Sequence, residues 1–249
     1  MENPFKFGTI VEDEFFTDRV EESAFIGQFL HSANHLVLIS PRRFGKSSLV
    51  SKTVKSSGRK FVAVNLQQVV SISDLSSKIL KEFFKNHPFE RFRHLISHFR
   101  VIPTLSTNPL TGAIDISFHP GADNNLLLED VFSLLEKSHT DSDRLIVVLD
   151  EFQEIKDISK NLDRQLRAIM QEHKNINYIL LGSQESLMTE IFENKKSPFY
   201  HFGELMRLGK IPRNDFYRYL SERLANCFPN TCDELANRIL DYTDCHPYY

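Results

Sequence analysis

The chain has 249 residues, of which 41% are hydrophobic and 25% are charged, and its formal net charge is −3. This composition is that of a globular protein with one large domain, or one domain and a small second one, and it excludes the disordered and fibrous classes. The small negative charge also excludes a global positive field that would attract nucleic acid or anionic lipid.

Cysteine usage and hydropathy indicate the compartment. The chain has three cysteines, Cys227, Cys232 and Cys245, and none of them forms a CxxC pair. This odd number without a pair favours reduced thiols over a disulfide framework or a zinc site. The first residues are acidic where a signal peptide is basic and then apolar. No stretch approaches the roughly 18 consecutive apolar residues of a membrane helix. We therefore expect a cytoplasmic protein that does not associate with membranes.

Short apolar runs alternate with longer amphipathic segments, which is typical of a parallel sheet covered by helices. In chain order the pattern predicts buried strands at 35–40, 60–66, 144–150 and 177–182, and helices from about Lys46, at 75–84 and at 162–173. A short fifth strand is expected at 207–211. The predicted fold class is therefore α/β, with a three-layer αβα arrangement around a parallel sheet.

Two segments depart from this alternation. Within 101–121, proline and glycine turn residues surround an alternating run at 113–118, which predicts an inserted β-hairpin. After 212, helices are predicted at 213–224 and 233–242 with no strand between them. We therefore expect a core over 1–212 and a small helical lid over 213–249. Because the last residues lack a polar tail, a further C-terminal domain is expected to follow.

The segment SPRRFGKSS, residues 40–48, follows a buried strand and opens a helix. This is the context of the phosphate-binding loop of P-loop NTPases. Gly45 would let the backbone approach phosphates, Lys46 would reach the β- and γ-phosphates, and Ser47 would bind Mg²⁺. Ser40 replaces the first glycine of the GxxxxGK[ST] pattern. The alternative for this motif alone is a chance GKS at a strand–helix turn.

A second motif, LIVVLDEFQEI at 145–155, places two acids at the end of the most strongly predicted strand. Ligands bind at the carboxyl edge of open α/β sheets. Asp150 would hold Mg²⁺ through water, and Glu151 would orient and deprotonate the attacking water. The alternative is a solvated helix N-terminus, where the helix dipole favours acids.

A third motif, Gly182-Ser183-Gln184, follows the strand predicted at 177–182. Ser183 or Gln184 would sense the γ-phosphate or position water at the same sheet edge. Ser183 would equally serve as the N-cap of the next helix. Both interpretations remain open.

The three motifs in this order resemble the AAA+-like ATPases of the STAND group, in particular the archaeal-type prokaryotic ATPase family. The opening NPFKFGTIVEDEFFTDRVEE is similar to the family's N-terminal box, with Arg19 and Glu22 as its Arg-x-x-Glu pair. The loop SPRRFGKSSL resembles the family's phosphate loop, including the paired arginines. The ending CHPYY is similar to its lid motif, with Cys245 where glycine is usual.

The resemblance covers nearly the whole chain and implies a five-stranded ATPase core, a helical lid and a winged-helix domain beyond it. It also places Val11, Phe15 and Arg19 beside the adenine, and His246 and Pro247 over the nucleotide. The predicted nucleotide-binding residues are therefore Val11, Arg19, Pro41, Arg42, Arg43, Phe44, Gly45, Lys46, Ser47, Ser48 and Pro247.

The predicted function is an ATP-hydrolysing molecular switch that uses Mg²⁺. Its predicted catalytic residues are Lys46, Glu151 and Ser183, and its predicted metal ligands are Ser47 and Asp150. The alternatives are a scaffold that holds nucleotide with negligible turnover, and a DNA-associated ATPase that works through a winged-helix domain. Expected partners are ATP or ADP, an unidentified protein and a second copy of the chain.

Three further patterns are ambiguous. His94 and His98 have i,i+4 spacing, but no nearby acid or cysteine completes a metal site, which favours a solvated helix face. The arginines within 91–100 alternate with phenylalanines, and an amphipathic helix is favoured over a nucleic-acid patch. Arg207 is an arginine finger, a phosphate sensor or a surface charge, and is left out of the catalytic set.

Overall fold

The computed structural model describes Phe5, Phe16 and residues 19–107, 114–119 and 121–247. Its centre is a five-stranded sheet in which all neighbouring strands are parallel. The strands are β1 (Leu36–Ile39), β2 (Phe61–Asn65), β5 (Leu145–Asp150), β6 (Ile176–Gly182) and β7 (Glu204–Arg207). Their spatial order is β2-β5-β6-β1-β7.

The described ranges contain ten α-helices. They are α1 (Val20–Leu30), α2 (Lys46–Ser56), α3 (Ile72–Asn86), α4 (Phe89–Ile96), α5 (Asn124–Lys137), α6 (Ile155–Ile158), α7 (Leu162–Met170), α8 (Glu185–Phe192), α9 (Arg213–Ala225) and α10 (Cys232–Thr243). None of the helices in these ranges is long and apolar enough to span a bilayer.

Side chains of β1 alternate between two hydrophobic cores, one on each face of the sheet. Val37 and Ile39 join the core that includes α3, α5 and α7. Leu36 and Leu38 join the core that includes α1 and α2. Because successive side chains of a strand point to opposite faces, this alternation defines three layers. The predicted α/β P-loop fold class is confirmed.

The inserted hairpin consists of β3 (Thr104–Thr107) and β4 (Ile114–Ser117), which pair antiparallel. It packs on α3 through the buried Ile116, and Lys81 pairs with Asp115 at 2.5 Å. Helices α9 and α10 enclose a separate small core, formed by Ile211, Phe216, Leu220, Leu224, Ala236 and Leu240.

The fifth strand lies at Glu204–Arg207 and not at 207–211 as predicted. Its residues are exposed or half-buried, so it has no apolar run to mark it. Its position is set by pairing with β1, in which Leu36 faces Glu204 and Ile39 faces Arg207. No bounds were predicted from the sequence for α1, α5 and α8.

Candidate functional site

The predicted phosphate loop joins β1 to α2 at the carboxyl edge of the sheet. Arg43 and Gly45 have positive φ, 68° and 84°, which turns the chain sharply into the helix. No heavy atom lies within 4 Å of the position that a Cβ of Gly45 would occupy. Helix α2 has no acidic residue in its first turn, so its N-terminus is suited to an anion. The loop therefore fits a phosphate group.

Lys46 joins this loop to the two acids at the carboxyl end of β5, Asp150 and Glu151. It is the first residue of α2 and is buried. Its Nζ lies 2.8 Å from Oε1 of Glu151 and 3.8 Å from Oδ1 of Asp150. Strand β6 lies between β1 and β5 in the sheet. The ion pair of Lys46 with Glu151 therefore connects the carboxyl ends of two strands that are not neighbours.

Glu151 is held by several donors in a strained backbone conformation. Its φ and ψ are 55° and 49°, a left-handed conformation that costs a non-glycine residue about 1–3 kcal/mol and is concentrated at functional sites. Its Oε2 accepts hydrogen bonds from Nε2 of Gln153 at 2.7 Å and from Oγ of Ser183 at 2.5 Å. Burial raises the pKa of Glu151, but the hydrogen bonds from Gln153, Lys46 and Ser183 more than offset it, so its pKa is lowered.

Ser47 and Asp150 form the predicted metal site. The Ser47 hydroxyl donates to Oδ2 of Asp150 at 2.6 Å, and the backbone N–H of Glu151 donates to Oδ1 at 2.9 Å. In the described ranges, no group of three or more His, Cys, Asp or Glu side chains could hold a metal ion by itself. Mg²⁺ is commonly held by one or two protein oxygens with water and substrate phosphates, and this hydroxyl–carboxylate pair fits such an ion.

Ser183 belongs to this network and does not cap the following helix. Its backbone N–H also donates to Oε2 of Glu151, at 3.3 Å. The N-cap of α8 is Gln184, whose side chain makes no capping hydrogen bond. The N-cap interpretation of Ser183 is therefore wrong. The side-chain amide of Gln184 donates to Oε1 of Glu154 at 3.4 Å, which extends the network away from the phosphate loop.

The other loop residues surround this centre. Arg42 and Arg43 are exposed, and Nε of Arg42 donates to Oγ of Ser183 at 3.5 Å. Pro41, Phe44 and Ser48 are half-buried. Their predicted contacts with nucleotide stay predictions.

Arg19 ties the phosphate loop to the segment after β7. Its buried guanidinium donates to the carbonyl oxygens of Gly209 at 2.8 Å and Phe44 at 3.4 Å, and pairs with Glu22 at 2.7 Å. The Arg-x-x-Glu pair is therefore formed. Val11 lies outside the described residues, as does Phe15, so the predicted contact of this region with adenine stays a prediction.

The lid reaches the phosphate loop through His246. Its ring packs edge-on against Phe44, with centroids 4.7 Å apart and an interplanar angle of 80°. Burial, Lys210 and Arg43 lower the pKa of His246. Pro247 is half-buried and is the last residue that the structure describes. Its contact with nucleotide stays a prediction.

The basic segment at 91–100 is part of the fold. Phe92 and Phe99 are buried. Arg100 pairs with Glu129 at 2.9 Å and with Asp130 at 2.8 Å. These contacts favour the amphipathic interpretation over a nucleic-acid patch.

Arg207 and the histidine pair have local partners. Arg207 forms an ion pair with Glu193 and donates to Oγ1 of Thr189 at 3.3 Å. Nδ1 of His98 lies 2.7 Å from the carbonyl oxygen of His94, and both rings are on an exposed surface. These contacts favour the interpretation of Arg207 as a surface charge and of His94 and His98 as part of a solvated helix face.

Gln153 belongs to the site but was not predicted from the sequence. Its side chain is buried and bonded to Glu151. The signal in the sequence was its position two residues after that acid, within a short segment that has no helical or strand periodicity.

Similar structures support the fold. The Walker-type ATPase of Pyrococcus abyssi is 19% identical, with a TM-score of 0.68 over 98% of this chain and 68% of that one. The Aeropyrum pernix ORC2 protein, solved as ADPNP–ADP complexes, is 18% identical, with a TM-score of 0.54 over 84% of this chain and 52% of that one. The Aeropyrum pernix ORC1 protein, solved in complex with DNA, is 13% identical, with a TM-score of 0.54. It is matched over 86% of this chain and 51% of its own.

These identities are low, so the likeness concerns the fold alone, and the chain spans only about half of each Aeropyrum protein. Among proteins of curated function, no sequence matches this chain significantly. The family model described as an AAA domain matches residues 30–188. That segment is more than half of the chain and contains all three motifs. The chain therefore belongs to the AAA domain family.

Proposed function

We propose that this chain binds ATP with Mg²⁺ and hydrolyses it, acting as a nucleotide-dependent switch of the STAND type. One observation carries the proposal. The side chains of Lys46, Ser47, Asp150, Glu151 and Ser183 meet in a single network of hydrogen bonds and ion pairs at the carboxyl edge of the sheet. This network combines a phosphate-binding cation, oxygen ligands for Mg²⁺ and a carboxylate acceptor for the proton of water.

Each residue has a role that its contacts support. Lys46 would exchange Glu151 for phosphate oxygens and neutralise the charge that develops during transfer. Ser47 and Asp150 would hold Mg²⁺, which supplies further positive charge beside the phosphates. Glu151 would accept the proton of the attacking water, because the hydrogen bonds from Gln153 and Ser183 favour its ionised form. Ser183 would keep that carboxylate in place.

The contact between His246 and Phe44 supports the switch. Phe44 belongs to the phosphate loop and His246 follows the last lid helix. A nucleotide that binds the loop would therefore change the surface against which the lid packs. A change in the angle between lid and core is the proposed output.

Two substitutions test the proposal. Lys46→Ala should reduce nucleotide affinity and lower turnover about 100-fold or more, since it removes a preorganised charge from the phosphates. Glu151→Gln should keep nucleotide affinity within a few-fold and lower turnover about 10²- to 10⁴-fold, since it removes the general base. Turnover is measured as phosphate release with Mg²⁺, and affinity with a fluorescent ATP analogue.

Matched controls are Lys55→Ala, further along the same helix, and Glu172→Gln on the exposed surface. Both should behave as wild type. Normal hydrolysis by Glu151→Gln would show that the proposed base is wrong. Tight binding without turnover in wild type would favour the nucleotide-holding scaffold.

DNA association is the second candidate, because one structurally similar protein was solved in complex with DNA. The described basic segment does not carry it, since Arg100 is paired with acids. Fluorescence anisotropy with duplex DNA at physiological salt, with and without ATP, tests it. Absence of binding in both states would exclude DNA association of the 249-residue chain.

A further inference from the structure

Gln153 connects Glu151 to a second carboxylate. It lies in the short 3-10 helix Phe152–Glu154 that follows β5, and its side chain is almost fully buried, with 3% of the residue exposed. Its Nε2 donates to Oε2 of Glu151 at 2.7 Å and to Oε1 of Glu154 at 3.2 Å. One amide group therefore bridges two acids.

These two acids fix the orientation of the Gln153 amide. A flipped amide would place its oxygen against two carboxylates, which have no proton to donate. In the observed orientation Oε1 is buried and has no hydrogen-bond partner among the described residues. An unsatisfied buried acceptor costs stability, whereas a methionine would fill similar space without one. Space filling therefore does not account for the amide.

We infer that Gln153 is a positioning residue that holds Glu151 for proton abstraction when Lys46 leaves it for the phosphates. This inference rests on the proposed hydrolysis. Lys46 contacts Oε1 of Glu151, whereas Gln153 and Ser183 contact Oε2. The bonds to Oε2 do not depend on the lysine, so they can persist with nucleotide bound.

The same bridge connects the base to the turn between β6 and α8. Glu154 also accepts a hydrogen bond from Gln184, and the neighbouring Ser183 donates to Glu151. The carboxylate is thus fixed from two sides, by the segment after β5 and by the segment after β6. Such support matters because small displacements of a reacting group lower rates strongly.

The test is Gln153→Met, which removes the donor and retains the length of the side chain. It should lower kcat about 10-fold or more and leave the KM for ATP within about twofold. The melting temperature should stay within about 5 °C of wild type, because loss of the donor to the two carboxylates and removal of the unsatisfied oxygen oppose each other. Gln153→Glu should lower kcat further, since it places a third carboxylate beside Glu151 and Glu154.

Gln165→Met is the matched control. Gln165 also has a buried amide oxygen without a partner in the described residues, but it lies on α7 and its amide donates to Asn125. It should keep wild-type kcat. In the Glu151→Gln background, Gln153→Met should cause no further loss, because the residue acts through Glu151.

Three outcomes would overturn the inference. The first is an unchanged kcat in Gln153→Met while wild type turns over and Glu151→Gln does not. The second is an equal loss of kcat with and without Glu151. The third is a fall in melting temperature of more than about 5 °C in Gln153→Met but not in Gln165→Met, which would assign Gln153 to the fold. A wild type that releases no phosphate overturns the proposed function instead, and the inference with it.

Discussion

At the scale of single residues, Gly182 shows how tightly the strand end beside the site packs against α8. It is the last residue of β6 and precedes Ser183. A Cβ at this position would lie 2.3 Å from Sδ and 2.4 Å from Cγ of Met188, which is fully buried on α8. Gly182→Ala should therefore destabilise the protein by about 1–3 kcal/mol through overpacking. Urea unfolding measures this change.

Substitution of Met188 tests whether overpacking against its side chain is the cause. In a Met188→Ala background the cost of Gly182→Ala should fall by about 1 kcal/mol or more, because the clashing side chain is absent. Gly27→Ala is the control, since Gly27 lies within α1 and no heavy atom would approach its Cβ within 4 Å. It should stabilise the protein by about 0.5–1 kcal/mol. Additive costs at Gly182 and Met188 would contradict the proposed clash.

At the scale of elements, the central strands could be predicted from sequence because both their faces are buried. β5 begins with the unbroken apolar run at 145–149, and every residue of β6 is buried. Such runs differ from the amphipathic helices around them. The three motifs were placed correctly at one sheet edge, because parallel strands bring their carboxyl ends together.

Other elements depend on tertiary contacts that no local pattern carries. The start of β7 was predicted three residues too late and its end four residues too late, since its own side chains are largely outside the core and its pairing with β1 fixes its position. In the same way, the bridge that Gln153 forms arises from a turn in which Glu151 has a left-handed conformation. Sequence spacing alone does not reveal that geometry.

The entry into β1 carries a pH-dependent contribution to stability. His35 directly precedes this strand, its ring stacks on Phe202 at 4.6 Å, and the backbone N–H of Tyr178 donates to its Nδ1 at 3.4 Å. Burial, together with the charges of Arg167, His173 and Arg144, lowers the pKa of His35 to about 4. The unfolded chain binds a proton near pH 6.5 and the folded chain does not, so stability falls as the pH drops from 6.5 to 4.

The expected contribution of His35 over this interval is about 2 kcal/mol, allowing for its partial exposure. His35→Phe should retain the stacking on Phe202 and lose less stability than wild type between pH 6.5 and 4.5. Urea unfolding at several pH values measures how the free energy of unfolding depends on pH in wild type and in His35→Phe. His87, His139 and His173 also have lowered pKa values with burial as the main cause, and they contribute equally to both proteins. Identical slopes would contradict a buried neutral His35.

At the scale of the whole molecule, the phosphate loop is where core and lid meet. Arg19 binds the carbonyl oxygens of Phe44 and Gly209, so it joins the loop to the segment that leads into α9. Lys210 and Asp244 form an ion pair beside the contact between Phe44 and His246. Nucleotide at the loop therefore acts next to both connections between the two parts.

The three cysteines of the chain all lie in the predicted lid, and all are free and half-buried. Cys245 directly precedes His246, whose ring contacts Phe44 of the phosphate loop, and its own side chain packs against the lid core. Cys227 lies in the turn between α9 and α10, and Cys232 begins α10. ATP bound to Glu151→Gln, which should not turn over, is expected to draw the lid onto the loop. The alkylation rate of Cys245 should then fall several-fold, as measured by mass spectrometry after a maleimide pulse.

Cys227 and Cys232 serve as internal controls, since closure against the loop does not cover the far end of the helix pair. Their alkylation rates should stay the same, and Lys46→Ala should show no protection of Cys245 at the same ATP concentration. Equal protection of all three thiols would indicate a general stiffening of the lid and not its closure. No protection of Cys245 in Glu151→Gln with ATP bound would contradict the switch while leaving nucleotide binding intact.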